Sequence, residues 1–143
     1  ILFLLSACGL APTPEPTETS LPPLVLLQAD NPYAPKVEDL NLTVAGLMIT
    51  STSLIERFDL EPFRVELIIA GSMPSVCNEL RLEINQPNID HEVHIKAYSV
   101  SKPTVKCDNV FQQFEANVLL GVYSSGVYTV WINDGFVGNF TMY

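Results

Sequence analysis

The chain has 143 residues, which is the length of one ordinary domain. Hydrophobic residues make up 48% of it and charged residues 16%, so the composition excludes a disordered chain and a coiled coil. Acidic residues outnumber basic ones by 16 to 7, and this balance excludes a protein that binds nucleic-acid phosphates with clustered cations. The three cysteines are an odd number, so at least one lies outside any intramolecular disulfide.

The chain begins with a short apolar run, Ile1 to Leu5. The run is too short to span a bilayer, which takes about 20 residues, and it has the character of the end of a signal peptide's apolar region. No initiating Met and no basic residues precede it, so we expect the chain to be truncated at its start.

Leu5-Ser6-Ala7-Cys8 resembles the lipobox of bacterial lipoproteins. The resemblance implies that residues 1–7 are the remnant of a cleaved signal peptide and that Cys8 carries the lipid anchor, with acyl chains such as palmitate. It also implies an extracytoplasmic protein, anchored to a membrane of the bacterial cell envelope. An ordinary signal peptide and a buried cysteine are the alternatives.

Residues 8–36 are rich in proline and threonine, which favours an extended, disordered tether. Fully extended, the stretch from Ala11 to Pro35 would reach about 80 Å at about 3.1 Å per residue. The apolar residues Leu24 to Leu27 interrupt its polarity. We interpret them as a short strand or a segment packed on the domain edge, in preference to a docking segment for a partner.

From residue 37 to 143 the sequence consists of short apolar or alternating stretches separated by turn residues, which predicts strands. The seven predicted strands are 42–49, 63–70, 80–85, 91–98, 114–120, 127–132 and 136–141. A bulge is expected at Gly46, a turn at Gly71–Ser75, at most one helical turn at Glu56–Leu60, and a hairpin at Asn133-Asp134-Gly135. The fold class predicted is therefore all-β, an antiparallel Ig-like sandwich of about seven strands preceded by a disordered tether, with a small barrel as the alternative.

With Cys8 assigned to lipid, Cys77 and Cys107 remain, and an exported domain would join them in a disulfide. Closing such a loop stabilises a fold by about 3–4 kcal/mol in the chain-entropy model. A reactive thiol pair or a metal site is the alternative, but the spacing has no Cys-x-x-Cys pattern.

The chain from Gly71 to Tyr143 resembles an uncharacterised class of Ig-like domains in bacterial lipoproteins. The residues that carry this resemblance are Gly71-Ser72-Met73-Pro74-Ser75-Val76-Cys77, Cys107, Phe114-Glu115, Val118-Leu119-Leu120-Gly121 and Gly126-Val127-Tyr128-Thr129-Val130. The resemblance implies a fold and an export route, and no activity.

Few residues are candidates for catalysis or for binding a metal or another ligand. His91 and His94 would point to opposite faces of a strand, so no metal site is expected, and no catalytic or cofactor-binding motif is present. We therefore expect neither an enzyme nor a cofactor. Trp131, with Tyr98 or Tyr123, is the candidate ligand-binding aromatic set, although a buried Trp131 would simply be core. Tyr128 is a candidate tyrosine corner, with its hydroxyl bonded to the backbone.

The sequence thus predicts a membrane-anchored lipoprotein with an Ig-like binding or structural module. The expected partners are the membrane, through the lipid anchor, and an envelope protein or a glycan, with no nucleic acid. A peptidase inhibitor of Ig-like fold and a carbohydrate-binding module are the alternative functions.

Overall fold

The structure is a computed structural model that describes residues 19–143; the predictions for the signal remnant, Cys8 and residues up to 18 lie outside the described residues. One 3-10 helix spans Val37–Asn41. The strands are β1 Val25–Leu27, β2 Thr43–Ala45, β3 Met48–Arg57, β4 Arg64–Met73, β5 Glu79–Ile84, β6 Glu92–Ser101, β7 Gln112–Leu119, β8 Val122–Tyr123, β9 Gly126–Ile132 and β10 Gly135–Met142. No helix among residues 19–143 is long and apolar enough to cross a membrane.

Strands β1 and β8 form a small two-stranded sheet, and two larger sheets form the sandwich. One has three strands in the order β3-β4-β7, and the other has five, in which β10-β9-β6 continue to β2 and β5 also pairs with β6. Alternate residues of both sheets supply one apolar core, with Leu67 of β4, Val93 of β6 and Tyr128 of β9 fully buried. The predicted all-β sandwich is confirmed.

Strand β6 is the centre of the five-stranded sheet and has three partners. It pairs antiparallel with β5 along one edge. Along the other edge its first half pairs parallel with β9 and its last residues pair antiparallel with β2. One ladder is therefore parallel, whereas the sequence predicted antiparallel pairing. Val93, Ile95 and Ala97 of β6 face the core together, as their alternation predicted.

The first predicted strand, 42–49, is divided between the two sheets. Its start is β2, beside β6, and its end begins β3, beside β4. Strand β3 then continues to Arg57, where the sequence predicted at most a helical turn, because Leu54 packs on the core. The bulge is at Thr50, and the prediction of one at Gly46 was wrong.

The turn predicted to begin at Gly71 is also wrong, because β4 extends to Met73. Gly71 lies where two neighbours come close: a Cβ there would lie 3.0 Å from the ring of Phe114 and 3.1 Å from the Cα of Ile49. A glycine inside a strand marks such a close approach as readily as it marks a turn.

Residues 24–35, here called the N-terminal segment, lie against the domain. Strand β1 pairs with β8, and the backbone amide of Asp30 donates to the carbonyl of Leu119 at 2.8 Å. Asn31 donates through Nδ2 to the carbonyl of Leu82 in β5 at 2.6 Å, and the Leu82 amide donates to the carbonyl of Tyr33 at 2.8 Å. A tether through residue 36 is therefore wrong for these residues, and the interpretation of Leu24 to Leu27 as a short strand at the domain edge is confirmed.

Candidate functional site

Three ring side chains line up across the outer face of the five-stranded sheet. The pairing register places His94 of β6 beside Trp131 of β9, and Trp131 beside Phe136 of β10. The rings of His94 and Trp131 are nearly parallel with centroids 6.3 Å apart, and Phe136 meets Trp131 edge-on at 5.6 Å. Trp131 thus stands between two rings, and the exposed aromatic of the row is Phe136, which is 60% exposed.

A chain of hydrogen bonds fixes the imidazole of His94. Its Nε2 lies 3.2 Å from Oε2 of Glu92, which also accepts a hydrogen bond from Nδ2 of Asn88 at 2.9 Å. The Asn88 amide, followed by His94, lowers the pKa of the Glu92 carboxyl. The indole N–H of Trp131 contributes a smaller lowering, although it makes no direct hydrogen bond within residues 19–143 and is buried. Glu92 is therefore held as a carboxylate that orients the ring of His94.

A shallow open cleft of about 360 Å³ crosses the same face next to this row. Its lining residues are Asn85, His94, Ile95, Lys96, Asn133 and Asp134. Asn85 follows the end of β5 on one side of β6, and Asp134 lies in the β9–β10 turn on the other side. Lys96 rises between them, with its Nζ 5.4 Å from the centroid of the Tyr98 ring.

The turn that forms one wall of the cleft is fixed to β6 by Asn133. The Asn133 side chain accepts a hydrogen bond from the Ala97 amide at 2.9 Å and donates one to the Ala97 carbonyl at 2.9 Å. These two bonds use the backbone groups of β6 that lie between the residues paired with β9 and the residues paired with β2. Both central residues of the turn, Asn133 and Asp134, have positive φ, at 45° and 65°. The hairpin predicted at Asn133-Asp134-Gly135 is confirmed.

The structure separates the three predicted binding aromatics. Trp131 and Tyr98 are partly buried and lie on the outer face of the five-stranded sheet, with His94 and Lys96 between them. Tyr123 is only 4% exposed and packs in the core, 5.1 Å from the ring of Tyr128, so a binding surface that includes it is wrong. Burial of Tyr123 raises the pKa of its phenol.

Tyr128 has the backbone contact proposed for it. Its hydroxyl donates to the carbonyl of Ser124 at 2.7 Å, and its ring stacks on His91 with centroids 4.8 Å apart. His91 lies in the turn before β6, with φ of 60°, and does not join His94 in one site. Among residues 19–143 no group of three or more His, Cys, Asp or Glu side chains is placed to hold a metal ion.

The disulfide predicted between Cys77 and Cys107 is confirmed, with Cα atoms 6.1 Å apart. It joins the loop after β4 to the loop after β6, at one end of the sandwich. Four apolar side chains on these two loops are exposed: Val76, Val105, Val110 and Phe111.

The cleft itself was not predicted. Asn85 and Lys96 carry no motif, and Asn133-Asp134 indicated a turn and nothing more. The sequence offered only the Asp134-Gly135 pair, which is typical of a two-residue hairpin loop whose second residue is the glycine. The pairing register instead places Gly135 opposite Ile132, within the strand.

Comparison with known families decides the classification. The model of the ORF11 β-sandwich domain matches residues 67–142, just over half of the chain. The chain belongs to this family. The matched region of the ORF11 β-sandwich domain includes all six cleft residues and begins within β4, after the N-terminal segment, β2 and β3. Neither a curated protein nor a solved structure gives a significant match.

Proposed function

We propose that this protein is an extracytoplasmic lipoprotein, held to a membrane of the bacterial cell envelope through Cys8, and that its ORF11 β-sandwich domain is a binding module. The observation that carries the proposal is the disulfide between Cys77 and Cys107. Disulfides persist in oxidising compartments outside the cytoplasm, which is where a lipid-anchored domain would reside. The sequence Leu5-Ser6-Ala7-Cys8 supplies the matching anchor signal.

The N-terminal segment lies against the domain and leaves the ring of Phe136 exposed. The Ser124 amide donates to the carbonyl of Leu24 at 2.9 Å, so the chain enters the domain beside β8. The contacts described above then place the segment along β8 and β5. The exposed ring of Phe136 on the outer face stays open to a ligand.

We propose a binding rather than a catalytic role for the domain. Within residues 19–143, the His94–Glu92 pair has no serine or cysteine among its hydrogen-bond partners. A nucleophile hydrogen-bonded to its base is the usual sign of covalent catalysis.

Mass spectrometry of the mature protein tests the anchor. The chain would be expressed in a bacterium behind the start of a lipoprotein signal peptide, beside a Cys8→Ser control. We expect an N-terminal acylated Cys8 and a membrane-bound protein, whereas Cys8→Ser should be released or left uncleaved. An unmodified Cys8 in a soluble protein would contradict the lipoprotein assignment. Thiol labelling of Cys77 and Cys107 in the same sample reports export separately.

A second candidate function rests on the two disulfide-linked loops. Val110 and Phe111, 60% and 69% exposed, give that end of the sandwich an apolar surface of the kind that contacts proteins. This observation favours the peptidase-inhibitor alternative over a purely structural role. Titration against cysteine and serine peptidases, with Phe111→Ser as the matched variant, would show inhibition that weakens in the variant.

A further inference from the structure

The cleft on the outer face offers mixed hydrogen-bonding groups. Asn85 supplies an amide with donors and an acceptor, Lys96 supplies a donor, and Asp134 supplies acceptors. Lys96 and Asp134 are the charged side chains of the lining, one of each sign. A site that binds an anion would be lined mainly by cations, so this balance suits a neutral ligand with many hydroxyl groups.

One side of the cleft is aromatic. His94 lines it, and its ring is held by Glu92 and continues into the row formed with Trp131 and Phe136. The C–H faces of sugar rings pack on aromatic rings while their hydroxyl groups bond to polar neighbours. A cleft of about 360 Å³ lies in the size range of small-ligand sites, and its open shape admits a short part of a longer chain.

Asp134 occupies a position at which glycine would be easier to accommodate. It is the second central residue of a two-residue hairpin turn, with φ of 65°. Turns of this type need positive φ at both positions, and glycine adopts it at little cost. A residue kept in a strained conformation at a cleft is a reason to look for a function. Here the strained residue places a carboxylate at the rim of the cleft.

We propose that this cleft binds a short segment of a neutral glycan, with Asp134, Lys96 and Asn85 bonding its hydroxyl groups and His94 packing on a sugar ring. Such a site would give the binding module a defined class of ligand, and its assignment rests on that proposed function. It does not depend on the lipid anchor, since all of its residues lie within the ORF11 β-sandwich domain.

The test uses the full chain with Cys8→Ser, so that lipidation plays no part. The probes are soluble hexasaccharides of β-linked glucose, β-linked N-acetylglucosamine, mannose and xylose, together with sulfated and uronic-acid oligosaccharides, on a glycan array. We expect at least one neutral probe to bind. Calorimetry with the strongest neutral probe then measures its affinity. Binding of none of the neutral probes, or a preference for the sulfated ones, would overturn the proposal.

Asp134→Gly is the decisive variant. It should keep or raise the thermal midpoint of unfolding, because glycine relieves the positive φ, and should weaken neutral-glycan binding by about tenfold or more. Lys96→Met should weaken binding similarly, while Lys102→Met, outside the cleft, should bind normally. If Asp134→Gly and Lys96→Met both bind as the parent does, the cleft is not the site. Failure of this test leaves the acylation of Cys8 untouched, so the two proposals fail separately.

Discussion

The guanidinium of Arg81 donates two hydrogen bonds to the carboxylate of Asp39, from Nε to Oδ2 at 2.7 Å and from Nη2 to Oδ1 at 2.8 Å. Arg81 lies in β5 and is only 4% exposed, and Asp39 belongs to the 3-10 helix that follows the N-terminal segment. A paired fork of this kind is strong and directional. It fastens the chain before β2 to the edge of the five-stranded sheet.

This pair predicts a stability that depends on acid pH. The hydrogen bond from Arg81, followed by that from the backbone amide of Lys36, lowers the pKa of Asp39 from 3.8 to about 2. The folded protein then binds a proton on Asp39 more weakly than the unfolded chain does. The stabilisation of the fold by the Arg81–Asp39 pair is therefore present above pH 4 and is lost as the pH falls towards 2. Asp39→Asn should lower the thermal midpoint at pH 7 by several degrees and flatten its decline between pH 4 and 2.

Calorimetric melting from pH 2 to 7 checks this expectation. Glu38→Gln, at an exposed neighbouring position in the same helix, is the matched control and should follow the parent profile. Equal midpoints for Asp39→Asn and the parent at pH 7 would show that the pair does not stabilise the fold.

Removing the disulfide should destabilise the domain substantially. In a Cys8→Ser background, replacing Cys77 and Cys107 by Ala opens a loop with a sequence separation of 30. The chain-entropy model gives a loss of about 3–4 kcal/mol in the free energy of unfolding. Urea unfolding measures it, with the background chain as control. A loss below about 1 kcal/mol would mean that the native loops gain little from the crosslink.

The side-chain amide of Asn133 should contribute more to the free energy of unfolding than its position in a turn suggests. Asn133→Gly is compatible with the positive φ at this position and removes both hydrogen bonds to Ala97. Two backbone groups of β6 then lose their partners. Leaving such groups unpaired costs about 1–3 kcal/mol. Urea unfolding and hydrogen exchange at the Ala97 amide measure the effect. Asp134→Gly in the same turn is the control, and equal stability of the two variants would contradict this role.

Gly71→Ala and Gly46→Ala form a matched pair of substitutions. A Cβ at Gly71 would collide with the backbone carbonyl of Met48 and the ring of Phe114, whereas one at Gly46 meets nothing within 4 Å. Overpacking of this kind costs about 1–3 kcal/mol, so Gly71→Ala should lower the free energy of unfolding while Gly46→Ala should change it little. A tolerated Gly71→Ala would mean that β3 can shift away from β4 without loss.

Much of the fold was accessible from the sequence because strand signals are local. The alternation around Val93 and Ile95 predicted which residues face the core, and the pairing of Cys77 with Cys107 followed once the lipobox resemblance had assigned Cys8 to lipid. The predictions were wrong where one sequence signal has two structural meanings. We predicted a turn at Gly71, but a glycine can equally mark a close approach between strands. We predicted that the ring of Tyr123 could bind a ligand, but Tyr123 lies in a strand of two residues, which is too short to show which side chains are buried.

The prediction for the N-terminal segment was wrong for a different reason. Its prolines indicated an extended chain, and the chain is extended, but extension does not distinguish a free tether from a segment paired with sheet edges. Asn31 and Tyr33 bond with Leu82, some fifty residues away in the sequence, and no local pattern reports such a contact.

The sequence by itself determined the all-β class, the turn at Asn133 and the acidic, apolar composition, and it predicted the crosslink once Cys8 was assigned to lipid. These features depend on residues a few positions apart or on simple counts. Only the tertiary structure decided that β6 changes partners along one edge, and that Asn85, Lys96 and Asp134 therefore meet around a cleft. The cleft depends on long-range pairing register, which sets the neighbours of a side chain across strands and is not encoded in the residues beside it.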